Sequence, residues 1–95
     1  MEKYLFTRLK IGDLVHDMNT GFTYEVLTQF VNPDHVRGDS QLQIKEVVSS
    51  RIESLSVDAG NYINFIIVKE VNWNQLPVTA RINVLYYKMK KDTTT

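Results

Sequence analysis

Hydrophobic and polar residues are most regularly patterned toward the C-terminal end of the chain. Two long runs stand out, residues 62–73 and 78–89, separated by Asn74-Gln75-Leu76-Pro77. In the first run Ile63, Phe65, Ile67 and Val71 fall on one side of an extended chain, with Lys69 interrupting. Tyr62, Asn64, Ile66, Val68 and Glu70 fall on the other, and Ile66 with Val68 makes its middle apolar. In the second run Val78, Ala80, Ile82, Val84 and Tyr86 alternate with Thr79, Arg81, Asn83, Leu85 and Tyr87. A period of two marks a strand with one side in the core. The β-branched and aromatic content suits a pleated, mostly buried surface. The pattern therefore predicts a long hairpin whose arms, at about 3.3 Å per residue, reach beyond the body of a small domain. Trp73, Asn74 and Gln75 would form its tip.

Earlier in the chain the runs are shorter. Residues 1–10 read as a turn-like lead-in whose aromatic residues cap the core. A strand through Leu14 and Val15, a turn at Asn19-Thr20-Gly21, and a strand from Phe22 to Val31 make a first hairpin, because Asn and Gly accept positive φ at little cost. Asn32-Pro33-Asp34 opens a polar loop through His35, Val36, Arg37 and Gly38 to Asp39, a surface of the kind that carries contacts. A third strand spans Gln41 to Val48. There the alternation slips, with Glu46 taking an apolar place and Val47 and Val48 adjacent, which predicts a bulge near 45–47. For residues 49–59 two readings compete. Ser50 and Glu53 have capping-box spacing, whereas Leu55 and Val57 alternate like a strand. The strand is preferred, with Asp58-Ala59-Gly60-Asn61 turning into the long hairpin.

The stretch Lys10-Ile11-Gly12-Asp13-Leu14-Val15, a turn at Gly21, and Tyr24-Glu25-Val26-Leu27 resembles the opening of small SH3-like barrels, KOW-type modules among them. The resemblance covers about the first quarter of the chain. It implies a small barrel. KOW modules are often found on RNA or on RNA polymerase partners, but this chain lacks their basic balance, so no functional residue is carried over.

Composition narrows the classes. A chain of 95 residues makes one domain. An apolar content of 43% is enough for a core rather than disorder. With no cysteine, disulfides and thiolate metal sites are excluded. No apolar run approaches the roughly 20 residues that cross a bilayer, and the N-terminus lacks a secretion-signal pattern. A cytoplasmic location is the default expectation. Eleven basic and eleven acidic residues give zero net charge, which argues against strong non-specific polyanion binding. The charges are nonetheless segregated. Asp13, Asp17, Glu25, Asp34 and Asp39 lie early, whereas Arg81, Lys88, Lys90 and Lys91 lie late. Such a split either steers two copies together or is neutralised within one domain.

Candidate chemistry is sparse. His16 lies between Asp13 and Asp17, but in a strand it points away from both, so a shared metal ion is not expected. Arg37-Gly38-Asp39 is read as turn chemistry. No nucleophile elbow and no phosphate loop is present. The chain is expected to be no enzyme and to need no cofactor. The binding candidates are Trp73, Asn74, Gln75, His35 and Arg37 for a protein partner, Trp being a favoured anchor. Arg81, Asn83, Tyr87 and Lys88 are the candidates for an anionic nucleotide or nucleic acid. There Arg supplies charge, Asn hydrogen bonds and Tyr a stacking surface.

The sequence thus predicts one all-β domain over residues 1–89. It would be a small SH3-like antiparallel barrel or sandwich of five or six strands with a long C-terminal hairpin, followed by a disordered tail over 90–95. Its function would be that of a self-associating, non-enzymatic adaptor acting through protein contacts. Nucleotide or nucleic-acid sequestration is the alternative, and a virion-type structural subunit the second alternative.

Overall fold

The structure is a computed structural model that describes residues 8–29, 40–56 and 64–93. Its strands are β1 (Leu14–Asp17), β2 (Thr23–Val26), β3 (Gln41–Glu46), β4 (Ile52–Ser56) and β5 (Phe65–Ile67), in the spatial order β4-β3-β2-β1-β5. Every neighbouring pair is antiparallel. Among the described residues β4 and β5 do not pair, so the sheet is open at two edges and no closed barrel is seen.

Register explains the core. Val15 lies opposite both Tyr24 and Ile67, Val26 opposite Ile44, and Leu42 opposite Leu55. Because side chains alternate along a strand, these residues share one face of the sheet. With Leu9 and Phe65 they form one buried cluster to which all five strands contribute. Tyr24 and Phe65 stack at 6.0 Å between ring centroids. The first hairpin forms where expected, with Gly21 at φ +83 closing its turn, but β2 ends at Val26, short of the strand read from Phe22 to Val31. Asp17 accepts the backbone N–H groups of Asn19 and Thr20 there.

The slip after Ile44 is not a bulge, because β3 pairs regularly on both sides through Lys45. Glu46 stays on the core face. Its carboxylate accepts the N–H groups of Val48 and Ser49, capping the turn into β4. Val47 and Val48 belong to that turn, and Ser50 ends it at φ +66. The strand preferred for 49–59 is present as Ile52–Ser56. The loop with His35 and Arg37, and the turn at 58–61, lie outside the described residues.

The long hairpin is not formed, and the fold is not all-β. Among the described residues the first apolar run contains only the short β5, then a 3-10 turn over Val68–Glu70 and the start of another over Trp73–Gln75. The second run is a helix, α1 (Val78–Thr93). Leu76-Pro77 opens it, and the Pro77 carbonyl accepts the Arg81 N–H. Proline belongs at such a start, where its missing N–H costs nothing. Residues 90–93, read as part of a loose tail, continue the helix. Lys90 and Lys91 sit in its last turn, where positive charge suits the helix dipole. Among the described residues no helix is long and apolar enough to cross a membrane.

Candidate functional site

Helix α1 lies on the sheet face opposite the main core. That face mixes His16, Thr23 and Glu25 with Leu14 and Ile66, and the helix meets its β2 part with polar side chains. Asn83 donates through Nδ2 to the Gly21 carbonyl and to Thr23 Oγ1, at 3.0 Å each. Tyr87, one helical turn on, donates to Glu25 Oε2 at 2.6 Å, and Lys91 lies 3.4 Å from the same carboxylate oxygen. Burial and the bond to Glu25 raise the Tyr87 hydroxyl above its ordinary pKa. On the same side of the helix Ala80 and Val84 are buried.

Thr23 leads further in. Its hydroxyl lies 2.8 Å from His16 Nδ1, and both side chains are buried. Burial lowers the His16 pKa from the ordinary 6.5, against the opposing pull of Asp17. A neutral ring with Nδ1 accepting from Thr23 leaves that hydroxyl's lone pairs for Asn83. His16 is thus a buried strand residue tied through Thr23 to Asn83 of the helix. Among the described residues no three His, Asp or Glu side chains converge to hold a metal ion.

The opposite side of α1 is the unusual part. Val78, Ile82, Leu85 and Met89 follow one another at intervals of four, three and four residues, so they form one stripe on a helix of about 3.6 residues per turn. They are 61%, 58%, 52% and 67% exposed. On one flank the apolar surface continues. Ile82 and Thr79 line a groove shared with Phe22 of the first hairpin and Val48 of the β3–β4 turn, and both are exposed. Along the other flank stand Arg81 and Lys88. Contiguous apolar surface of this kind, with a polar edge, marks a contact site more often than scattered exposed residues do.

The residues singled out from the sequence are dispersed by the helix. Arg81, Asn83 and Tyr87 do not share a strand face. Asn83 and Tyr87 are turned to the sheet and engaged there, whereas Arg81 and Lys88 flank the outer stripe. Trp73, Asn74 and Gln75 are exposed, but they sit on the connection into α1 rather than at a hairpin tip. Trp73 is 42% exposed and has the Lys88 ammonium 6.0 Å from its ring centroid. The early acids and late bases meet in part within one domain, through Glu25 with Lys91, and Asp13 is paired with Lys69.

A second concavity lies where α1 crosses β2 and β3. Lys45, Lys90 and Lys91 line it together with Glu25, Ser50 and Tyr87. Lys90 donates to Ser50 Oγ at 2.7 Å across it.

The site and fold together define a small five-stranded antiparallel domain with a C-terminal helix whose outer face is apolar. No family model, no curated protein and no solved structure matches the chain.

Proposed function

We propose that this protein is a non-enzymatic binding module that acts through protein contacts, and that its contact surface is the outer face of α1. The observation that carries this reading is the stripe Val78, Ile82, Leu85 and Met89, which is more than half exposed at every position. Leaving such side chains in water forgoes about 1.5–3 kcal/mol for each one that a partner would fully bury. The adjoining groove at Phe22 and Val48 gives the surface a concave side, and Trp73 stands near its basic edge.

The test is a panel of helical and extended peptides of both charge signs, together with the chain itself as a possible partner. Binding to at least one of these, lost on Leu85→Glu at an unchanged thermal midpoint, is the expected result. Trp73→Ala should weaken the same binding while the fold stays intact. If nothing in the panel engages the stripe and the chain remains monomeric, the module reading fails.

A second reading, capture of an anionic small molecule, is favoured by the three lysines around the concavity at Glu25 and Ser50. It uses Tyr87 from the sequence-based candidates, but not Arg81. Its mark would be nucleotide or phosphate binding that weakens steeply with salt and is lost on Lys45→Ala.

A further inference from the structure

We propose that the occupant of the outer face of α1 is an amphipathic helix of a different chain, with carboxylates along one edge. This rests on the contact surface argued above and names the chemistry of its partner.

The shape of the stripe selects a helix. Its four-three-four spacing is that of a coiled-coil seam, with Ile82 and Leu85 in the two alternating seam positions. From Val78 to Met89 it runs about 16 Å, or three turns. A partner helix laid along it would place one side against the groove at Phe22 and Val48 and the other under Arg81 and Lys88.

Charge selects the kind of helix. Arg81 and Lys88 stand one heptad apart on the same flank, about 10 Å along the axis. The one acidic residue of the helix is Asp92 in its last turn, and it already has a partner. Among the described residues no carboxylate lies within 4.0 Å of either side chain. The Arg81 Nε is buried without a hydrogen-bond partner among them. A partner carrying two acids seven residues apart would meet both cations.

Charge also argues against a second copy as the occupant. An antiparallel pair of α1 helices would set the two basic edges against each other. A parallel pair would set them against positions 86 and 93, a tyrosine and a threonine, which bring no carboxylate. Nor does the rest of the described surface offer spare acids. Asp13, Glu53 and Glu70 pair with Lys69, Arg51 and Arg8, and Glu25 is held by Tyr87 and Lys91. Asp17 and Glu46 cap turns, and Asp92 also has a partner.

The experiment uses two synthetic three-heptad peptides with Leu and Ile in the seam positions. One has Glu and the other Lys in the flanking positions. Their binding to the full chain is measured by fluorescence anisotropy at low and moderate salt. The acidic peptide should bind at least about tenfold more tightly, with the margin shrinking as salt rises. The double variant R81E/K88E should reverse the preference, and Leu85→Glu should abolish binding of both peptides. Thermal midpoints of the variants, all at exposed or half-exposed positions, verify that the fold is kept. Equal affinity for the two peptides overturns the acidic partner while leaving the contact surface standing. So does a wild-type dimer in sedimentation that Leu85→Glu dissolves. Failure of every peptide, with a monomeric wild type, overturns the contact surface as well.

Discussion

The two sides of α1 make an instructive pair, because adjacent residues sit in opposite worlds. Val84 is buried against the sheet, and Leu85, the next residue, is mostly in water. The inner side is held by a small residue, one valine, an amide and a phenol. The outer side carries the larger aliphatic residues. If hydrophobicity alone oriented this helix, the stripe of Val78, Ile82, Leu85 and Met89 would face the sheet. It does not, because the part of the sheet beneath the helix, along β2, presents polar acceptors. Thr23, Glu25 and the Gly21 carbonyl need donors, and Asn83 and Tyr87 supply them. Leaving those acceptors unmet under an apolar helix would cost about 1–3 kcal/mol each. Hydrogen bonds thus set the orientation, and apolar surface is left for another molecule.

The sharpest way to break the comparison is to put the same charge on both sides. Val84→Asp should cost about 3 kcal/mol or more, because it buries an unpaired carboxylate between helix and sheet. Leu85→Asp, its neighbour, should change stability by no more than about 0.5 kcal/mol. Urea denaturation of the two variants reads the difference. Similar losses for both would mean that the outer side is part of the folded core.

Removing the polar anchor should have a smaller effect. Asn83→Ala strips one donor from both the Gly21 carbonyl and Thr23, and should cost about 1–2 kcal/mol. Amide exchange should then rise in α1 before it rises in β1 and β2. A uniform rise would show that helix and sheet unfold as one unit.

The mildest lever is pH. The folded-state pKa of His16 lies below its ordinary 6.5, so the unfolded chain takes up the proton first. The contribution from neutral His16 is fully present above pH 6.5, and it declines as pH falls below that value toward the folded pKa. The domain should therefore be less stable at pH 5.5 than at pH 7.5. His16→Gln should remove much of the difference, even if it lowers stability at both values. An unchanged slope in that variant would assign the pH dependence to other groups.

Much of the sheet was legible in the sequence because its determinants are local. Gly21 after Asn19-Thr20 closes the first hairpin, and Tyr24 with Val26 declares the core side by simple alternation. Leu55 likewise marked β4 correctly against the capping-box spacing of Ser50 and Glu53. The slip at Glu46 was visible but misread. A buried carboxylate that caps a turn looks, in sequence, like a register error.

The helix was misread for a clear physical reason. Val78, Thr79, Ile82, Val84, Tyr86 and Tyr87 have weak helix propensity, and they match a period of two as well as one near 3.6. Three signals favoured the helix: Pro77 at its start, lysines at its end, and an apolar run too long for an ordinary strand. The shared strand face read for Arg81, Asn83 and Tyr87 went with it. Arg81, Asn83 and Tyr87 share a face only if the chain is extended.

By itself, then, the sequence determined where β1 to β4 lie, most of their core-facing residues and the hairpin turn, since alternation and turn chemistry act over a few neighbours. Only the tertiary structure decided that 78–93 is helical and which of its two apolar sides is hidden. Those outcomes depend on Thr23, Glu25 and the Gly21 carbonyl, acceptors more than fifty residues away that a local pattern cannot register.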